Sequence, residues 1–139
     1  MSLVSYSHGV YQSMHHLVFT TKYRYKCMHQ EKVRLAVRRA LEAAASRHNI
    51  RFVELNVQSD HVHALVIIHP TMSVAKALAL LKGASAHQIF QEFPNFRLRY
   101  PKGHFWSPAK CGRTVGDVTQ SVVVDYIRNQ GEQSTLTAF

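Results

Sequence analysis

Residues 51–69 read RFVELNVQSDHVHALVIIH, two apolar-rich runs on either side of a Ser-Asp turn. Residues 51–58 carry an aliphatic side chain at every second position from Val53 to Val57, which is typical of a strand with one buried face. Residues 61–69 form the second run. Because only the two turn residues separate the runs, the sequence predicts that they pair as an antiparallel hairpin.

The segments on both sides of this hairpin have clear periodicity. Residues 14–22 are rich in β-branched and aromatic side chains and predict a first strand. Residues 31–48 repeat apolar side chains at helical spacing and predict an amphipathic helix. Downstream, Ser73 has the type and position of a helix N-cap, and we expect its helix to run from residue 74 to about residue 90.

The C-terminal part of the chain is less regular. Residues 91–106 contain two prolines, a glycine and five aromatic residues, and we expect an irregular loop there. Residues 110–115 predict a short fourth strand that ends at Gly116. The next four residues, DVTQ at 117–120, resemble a capping box and predict a last helix that continues through Gln130.

The resulting order, β-α-β-β-α-β with a C-terminal helix, is that of a ferredoxin-like or RRM-like α+β fold. Such a fold has one antiparallel sheet with two helices on one face. The chain has 139 residues, 46% of them hydrophobic, which suits one globular domain. We expect a single domain over residues 1–139, with a core of about 14–115, the last helix at about 117–130 and a short polar tail at 131–139.

Charge is the unusual feature of the composition. Seventeen Lys and Arg residues against eight Asp and Glu residues give a net charge of +9. This excess favours a polyanionic partner, nucleic acid first and an anionic membrane surface second. The two cysteines are too few for a disulfide scaffold or a Cys-based zinc site. Neither a signal peptide nor an apolar run of about 20 residues is present, so we expect a cytoplasmic protein with no membrane segment.

The hairpin carries the first candidate site. His61 and His63 are two residues apart on a predicted strand, so their side chains lie on the same face and could bind one divalent metal ion together. A chain with ten histidines also produces such a pair by chance, and two structural histidines are an equal alternative. A histidine-triad nucleotide-binding motif is excluded because Leu65 occupies the position of its third histidine.

The second candidate site lies on the predicted last helix. Tyr126 and Gln130 are one helical turn apart and project from the same face. As a functional pair they would supply a phenol nucleophile and an amide oxygen for a metal ion. As a structural pair they would be an amphipathic tyrosine and a solvated glutamine.

Together these motifs resemble those of the single-tyrosine HUH transposases of small prokaryotic insertion sequences, the IS-two-hundred-like or TnpA-type enzymes. The similarity extends from about residue 14 to residue 130. The motifs that carry it are, in chain order, HHLVFTTKYRYK at 15–26, QSDHVH at 58–63, LKGAS at 81–85, Phe93-Pro94, FWSP at 105–108, TVG at 114–116 and YIRNQ at 126–130.

This resemblance implies a metal-dependent enzyme that cleaves and rejoins single-stranded DNA at hairpins of insertion-sequence ends. It implies that His61, His63 and Gln130 bind a divalent ion, Mg²⁺ or Mn²⁺. It also implies that Tyr126 attacks the scissile phosphate to give a 5′-phosphotyrosine and a free 3′-hydroxyl. Asp60 is expected to orient an imidazole. Members of the family are homodimers in which the tyrosine helix of one subunit can complete the active site of the other.

Two basic segments interleaved with aromatic residues, at 22–26 and 97–106, could bind the DNA. Cations neutralise the backbone of single-stranded DNA, and aromatic rings stack on its bases. The predicted contacts are Lys22, Arg24, Lys26, Arg97, Arg99, Lys102 and Trp106. The structural alternative is a solvated basic rim whose aromatic residues belong to the core.

Three other functions fit parts of the sequence. A non-catalytic RRM-like nucleic-acid-binding module would share the fold, although no RNP-type aromatic run is present on a central strand. A metal-dependent phosphodiesterase that uses water would not need Tyr126. A domesticated relative that processes repeat hairpins would keep the chemistry and change its biological role.

Overall fold

The computed structural model describes residues 11–108 and 111–119, with side chains over residues 14–108. Its regular elements follow the predicted β-α-β-β-α-β order. They are β1 (Tyr11–Thr20), α1 (Glu31–Arg47), β2 (Arg51–Val57), β3 (His61–Ile68), α2 (Val74–Glu92) and β4 (Cys111–Thr119). Short 3₁₀ segments follow β1 at Lys22–Arg24 and α2 at Pro94–Leu98.

The four strands form one antiparallel sheet in the order β2-β3-β1-β4. The predicted hairpin is confirmed, since β2 and β3 are adjacent and Val57 pairs with Val62. The amide of Gln58 donates to the carbonyl of His61 at 2.8 Å and closes the turn. Strand β3 therefore lies between β2 and β1 in the interior of the sheet.

The main hydrophobic core lies between the sheet and the two helices. Its largest cluster includes Leu17 of β1, Val62 of β3, Leu41 of α1 and Leu81 of α2, all at most 1% exposed. Burying each such aliphatic side chain contributes about 1.5–3 kcal/mol relative to leaving it in water. A smaller buried cluster contains Met14, Leu65 and Ile67, whose register places them on the opposite face of the sheet.

Helix α2 begins as the sequence predicts. The Ser73 hydroxyl accepts a hydrogen bond from the amide of Lys76 at 3.0 Å, which satisfies one of the free N–H groups at the helix start. In the described part of the chain, no helix is long and apolar enough to cross a membrane.

Strand β4 differs from its prediction. It does not end at Gly116 but continues to Thr119, so a helix does not start at residue 117. The longer strand is paired because β1 starts at Tyr11, and Tyr11 lies opposite Thr119. The register shifts between Met14 and His15, and this bulge lets the ladder continue past the glycine. The rest of the predicted helix, residues 120–130, and the tail at 131–139 lie outside the described residues.

The predicted loop at residues 91–106 is irregular but packed. Its end is hydrogen-bonded to the chain that follows β1. Trp106 forms an isolated antiparallel β-bridge with Thr21, and the amide of Lys22 donates to the carbonyl of Phe105 at 2.8 Å. The Trp106 indole N–H donates to the Ser85 hydroxyl at 2.9 Å in the interior. The segment thereby fixes α2 against the end of β1.

Candidate active site

His61 and His63 lie side by side on the face of the sheet opposite to the helices. Val62 between them is fully buried in the main core, so the alternation of the strand directs both imidazoles the other way. Their ring centroids are 5.0 Å apart and their planes are nearly perpendicular, at 78°. The His61 side chain is 27% exposed, so the pair is partly shielded but open to a ligand.

The carboxylate of Asp60 is hydrogen-bonded to one ring nitrogen of His61. Its Oδ1 atom lies 2.8 Å from Nδ1 of His61. Two groups lower the pKa of Asp60: first the hydrogen bond from His61, then the Arg24 guanidinium. An ionised carboxylate can only accept, so the proton of a neutral His61 belongs on Nδ1. This leaves the Nε2 lone pair available for a metal ion.

The guanidinium of Arg24 binds the other oxygen of the Asp60 carboxylate. Its Nε and Nη2 atoms both lie 3.2 Å from Oδ2 of Asp60. Arg24 and the preceding Tyr23 adopt left-handed backbone conformations, with φ values of 56° and 63°, which cost free energy for residues with a side chain. The sequence predicts Arg24 as a DNA contact. In the structure, its guanidinium is hydrogen-bonded to the Asp60 carboxylate beside the histidine pair.

Buried Thr21 holds this turn in place, and sequence reasoning missed it. Its amide donates to the carbonyl of Asp60 at 2.9 Å, and its hydroxyl donates to the carbonyl of Tyr25 at 2.7 Å. The end of β1 is therefore tied to the residue before His61. A threonine at a strand end gives no sequence signal of this role, because its partners are distant in the chain.

The surroundings of His63 favour the neutral form of its imidazole. Burial lowers its pKa below the ordinary value, and the neighbouring imidazoles of His61 and His16 lower it further. A neutral imidazole is the form that binds a metal ion. His63 thus combines the neutral form that a ligand requires with placement on the same face as His61.

The imidazole nitrogens of His61 and His63 fit a divalent ion that also binds other ligands. Two adjacent imidazoles supply part of a coordination shell. Among the described residues, no group of three or more His, Cys, Asp or Glu side chains could hold a metal ion. The predicted nucleophile Tyr126 and the predicted ligand Gln130 lie outside the described residues.

The two predicted basic segments meet at an aromatic cluster of Tyr23, Tyr25 and Tyr100. Tyr23 and Tyr100 are nearly parallel, with centroids 6.5 Å apart, and Tyr25 contacts both rings. The Arg99 guanidinium lies 5.5 Å from the centroid of Tyr25. Tyr23 is 60% exposed and offers its ring to solvent. Segments that are about 75 positions apart in sequence therefore form one surface.

The predicted DNA contacts differ in their exposure. Lys22 is half-buried, whereas five of the predicted cations are exposed, namely Arg24, Lys26, Arg97, Arg99 and Lys102. Trp106 is only 5% exposed and contacts Phe19 and Phe105 edge-on. The ring of Trp106 is therefore largely part of the core, and its predicted contact with DNA stays a prediction.

Comparison with known proteins identifies the family. The profile of a family described as "Transposase IS200 like" matches residues 9–130. The chain belongs to this family of transposases. The resemblance inferred from the sequence motifs is confirmed, and this transposase is an enzyme that cleaves and transfers DNA strands.

Individual relatives agree with this assignment. The transposase is 33% identical over 132 residues to the transposase for insertion sequence element IS200 of Salmonella typhimurium strain LT2, covering 95% of this chain and 86% of the relative. It is 30% identical over 124 residues to the ISDra2 transposase TnpA of Deinococcus radiodurans, covering 89% of this chain and 88% of the relative. The alternative of a non-catalytic RRM-like module is not supported.

Solved structures share the fold. The crystal structure of a proposed transposase of Deinococcus radiodurans R1 matches with a TM-score of 0.72 at 29% identity, over 92% of this chain and 98% of that one. A REP-associated tyrosine transposase bound to a REP hairpin matches with a TM-score of 0.54 over 96% of this chain and 74% of that one. At 9% identity, the second match shows the fold alone.

The contact between Arg24 and Asp60 predicts a measurable effect on His61. In Arg24→Gln, Asp60 loses its cationic partner and we expect His61 to populate both neutral tautomers instead of mainly the Nδ1–H form. Long-range ¹H–¹⁵N NMR spectra of the imidazole, recorded without metal, report this ratio. Stability should change by only about 0–1 kcal/mol, because the arginine is exposed.

Arg39→Gln is the matched control for this prediction. Arg39 is also an exposed arginine in an ion pair, with Glu92 at 3.8 Å on the helical side of the molecule. Its loss removes the same charge and should leave the tautomer of His61 unchanged. An identical His61 spectrum in Arg24→Gln and the wild type would show that Arg24 does not act on the histidine.

Proposed function

We propose that this transposase is of the single-tyrosine HUH type and cleaves and rejoins single-stranded DNA at hairpins of insertion-sequence ends. Tyr126 is the nucleophile, and His61, His63 and Gln130 bind the metal ion. The observation that carries the proposal is the pair of same-face imidazoles, one of them oriented by Asp60, in a chain of the IS200-like family.

The resemblance to the single-tyrosine family implies Mg²⁺ or Mn²⁺ as the bound ion. Two neutral imidazoles and one amide oxygen leave the full charge of the ion and several coordination positions for phosphate oxygens and water. A bound divalent ion polarises the scissile phosphate and stabilises the negative charge on the departing oxygen. Asp60 contributes by holding His61 in the tautomer that can bind the ion.

In the proposed reaction, the phosphodiester bond that breaks is replaced by a new phosphodiester bond to tyrosine. The phenol oxygen of Tyr126 forms a bond to phosphorus, and the bond from phosphorus to the 3′-oxygen breaks. One strand then carries a 5′-phosphotyrosine and the other a free 3′-hydroxyl. Attack by a 3′-hydroxyl on the phosphotyrosine reverses the step, so strands are rejoined without ATP. The phenol, whose ordinary pKa is about 10, loses its proton as it attacks, and the departing 3′-oxygen takes up a proton to become the hydroxyl.

The basic and aromatic surface is the proposed path of the DNA. Exposed cations lie on both basic segments, and the aromatic cluster joins the segments beside the Asp60 turn. Cations there would neutralise phosphates while the exposed ring of Tyr23 stacks on a base, an interaction worth roughly 1–3 kcal/mol. Lys22, Arg24, Lys26, Arg97, Arg99 and Lys102 remain in this proposal, and Trp106 would contribute only the small exposed part of its ring.

We expect the transposase to act in the cytoplasm as a homodimer. The described residues already supply the β-α-β-β-α-β elements of the fold. In a symmetric dimer, a segment that follows these elements can serve the second subunit. We therefore propose that Tyr126 of one subunit completes the site formed by the histidines of the other.

A covalent adduct tests the nucleophile. Mixing the transposase with single-stranded hairpin DNA and Mg²⁺ should give a protein–DNA species that resists denaturant, detected by gel electrophoresis. Chelation of the metal and the variant Tyr126→Phe should each abolish it, whereas Tyr11→Phe, which removes a phenol elsewhere, should retain it. Cleavage without an adduct, or an adduct that persists in Tyr126→Phe, would favour water or another nucleophile.

Mixed subunits test the shared site. His61→Ala and Tyr126→Phe should each be inactive alone. Mixed and allowed to exchange subunits, they should recover up to about a quarter of the wild-type adduct, because half of random dimers are mixed and each mixed dimer has one intact site. The measurement is adduct yield per subunit. A mixture as inactive as its components would place the histidines and Tyr126 of each site in the same subunit.

A further inference from the structure

A cavity lies on the helical side of the sheet. It has a volume of about 510 Å³ and lies between α2 and residues 97–108; we call it the α2 groove. Its apolar floor includes Leu78, Phe90, Phe105 and Trp106. Its polar wall includes Lys22, Lys82, His87, Arg97 and His104.

The wall of the α2 groove suits an anion. Three of its residues are permanent cations and two are imidazoles, and none of the described residues that line it is a carboxylate. Two of the cations are held in place: the Lys82 ammonium donates to the carbonyl of Ser107 at 2.7 Å, and the Arg97 guanidinium lies 4.7 Å from the centroid of Phe90. Cations around an apolar floor match a ligand with a charged and a flat apolar part.

Gly83 gives the groove its opening. It lies in the middle of α2 and is exposed, where a glycine costs about 1 kcal/mol relative to alanine. In the part of the chain that the structure describes, a Cβ atom at this position would meet nothing within 4 Å. Packing against these residues therefore does not require a glycine. A ligand that approaches the helix closely would require it.

We propose that the α2 groove binds one nucleotide of the single-stranded DNA, with its phosphate against the cations and its base against the apolar floor. This inference rests on the proposed function and adds a DNA-binding site away from the histidine pair. The groove adjoins that pair through the end of β1. Thr20 lies opposite His61, its carbonyl accepts from the amide of Ser107 at 2.8 Å, and Lys22 lines the groove. DNA that leaves the histidine face can thus pass around the strand end.

Substitutions at Gly83 test this site without disrupting the fold. Gly83→Glu and Gly83→Gln place side chains of equal size over the groove, and both should be tolerated because the position is open and helical. We expect Gly83→Glu to bind single-stranded hairpin DNA about tenfold more weakly than Gly83→Gln, since only the carboxylate repels a phosphate. Fluorescence anisotropy gives the two dissociation constants.

Two further variants make the comparison specific. His87→Glu and His87→Gln repeat the matched pair one turn along the helix and should show the same order. Ala43→Glu adds a carboxylate to the exposed face of α1 and should bind as the wild type does. Equal affinities within each Glu and Gln pair, or an equal loss in Ala43→Glu, would overturn the proposal.

NMR spectra identify the ligand in the groove. A 5′-phosphorylated thymidine dinucleotide should shift the amide of Gly83 and the imidazoles of His87 and His104. Inorganic phosphate at the same concentration should not, and equal shifts would reduce the groove to a general anion site. The covalent adduct formed by the wild type is independent of this result. If the adduct forms but the Gly83 pair bind equally, the proposed function stands and the α2 groove inference fails.

Discussion

The pairing of β3 with β1 in the interior of the sheet determines where the functional side chains point. Val62, Ala64 and Val66 are each at most 1% exposed and pack toward the helices. With a period of two residues, their burial forces His61 and His63 to the opposite face. A shift of one residue in register would bury both imidazoles and expose the core. The same hydrophobic burial that stabilises the fold therefore assembles the candidate metal site.

The second determinant is the connection between the end of β1 and the turn before β3. Thr21 and Asp60 are far apart in sequence, yet the Thr21 amide bonds the Asp60 carbonyl. The left-handed turn at Tyr23 and Arg24 directs the guanidinium onto the Asp60 carboxylate. Backbone conformations of this cost are maintained where the surrounding contacts over-determine them. Here those contacts place the charged pair of Arg24 and Asp60 beside His61, and they leave the ring of Tyr23 exposed.

Local sequence patterns predicted much of this arrangement. The hairpin, the element order, the N-cap at Ser73 and the common face of His61 and His63 follow from short-range periodicity and were found in the structure. These features depend on side chains only a few positions apart. The family motifs added Tyr126 and Gln130 as a predicted nucleophile and a predicted metal ligand, roles that periodicity alone does not indicate.

The features that sequence missed depend on distant partners. Strand β4 continues past Gly116 because β1 begins early enough to pair with it and a bulge absorbs the extra residue. Trp106 is a core residue because Ser85 and Phe19 contact it, although it ends a segment that was predicted to bind DNA. Likewise, Arg24 meets Asp60, and Tyr23 meets Tyr100, only after the chain has folded. The α2 groove forms where the LKGAS and FWSP segments meet in the fold, so neither segment alone predicts it.

The metal site itself is the claim on which the proposed chemistry depends. Pulsed EPR of Mn²⁺ bound to the transposase labelled with ¹⁵N-histidine would test it most directly, because hyperfine couplings report the coordinated imidazoles. We expect couplings from two imidazole nitrogens, with one lost in His61→Ala and one in His63→Ala. Bound Mn²⁺ without imidazole couplings, or couplings that neither variant changes, would contradict a metal centre at this pair.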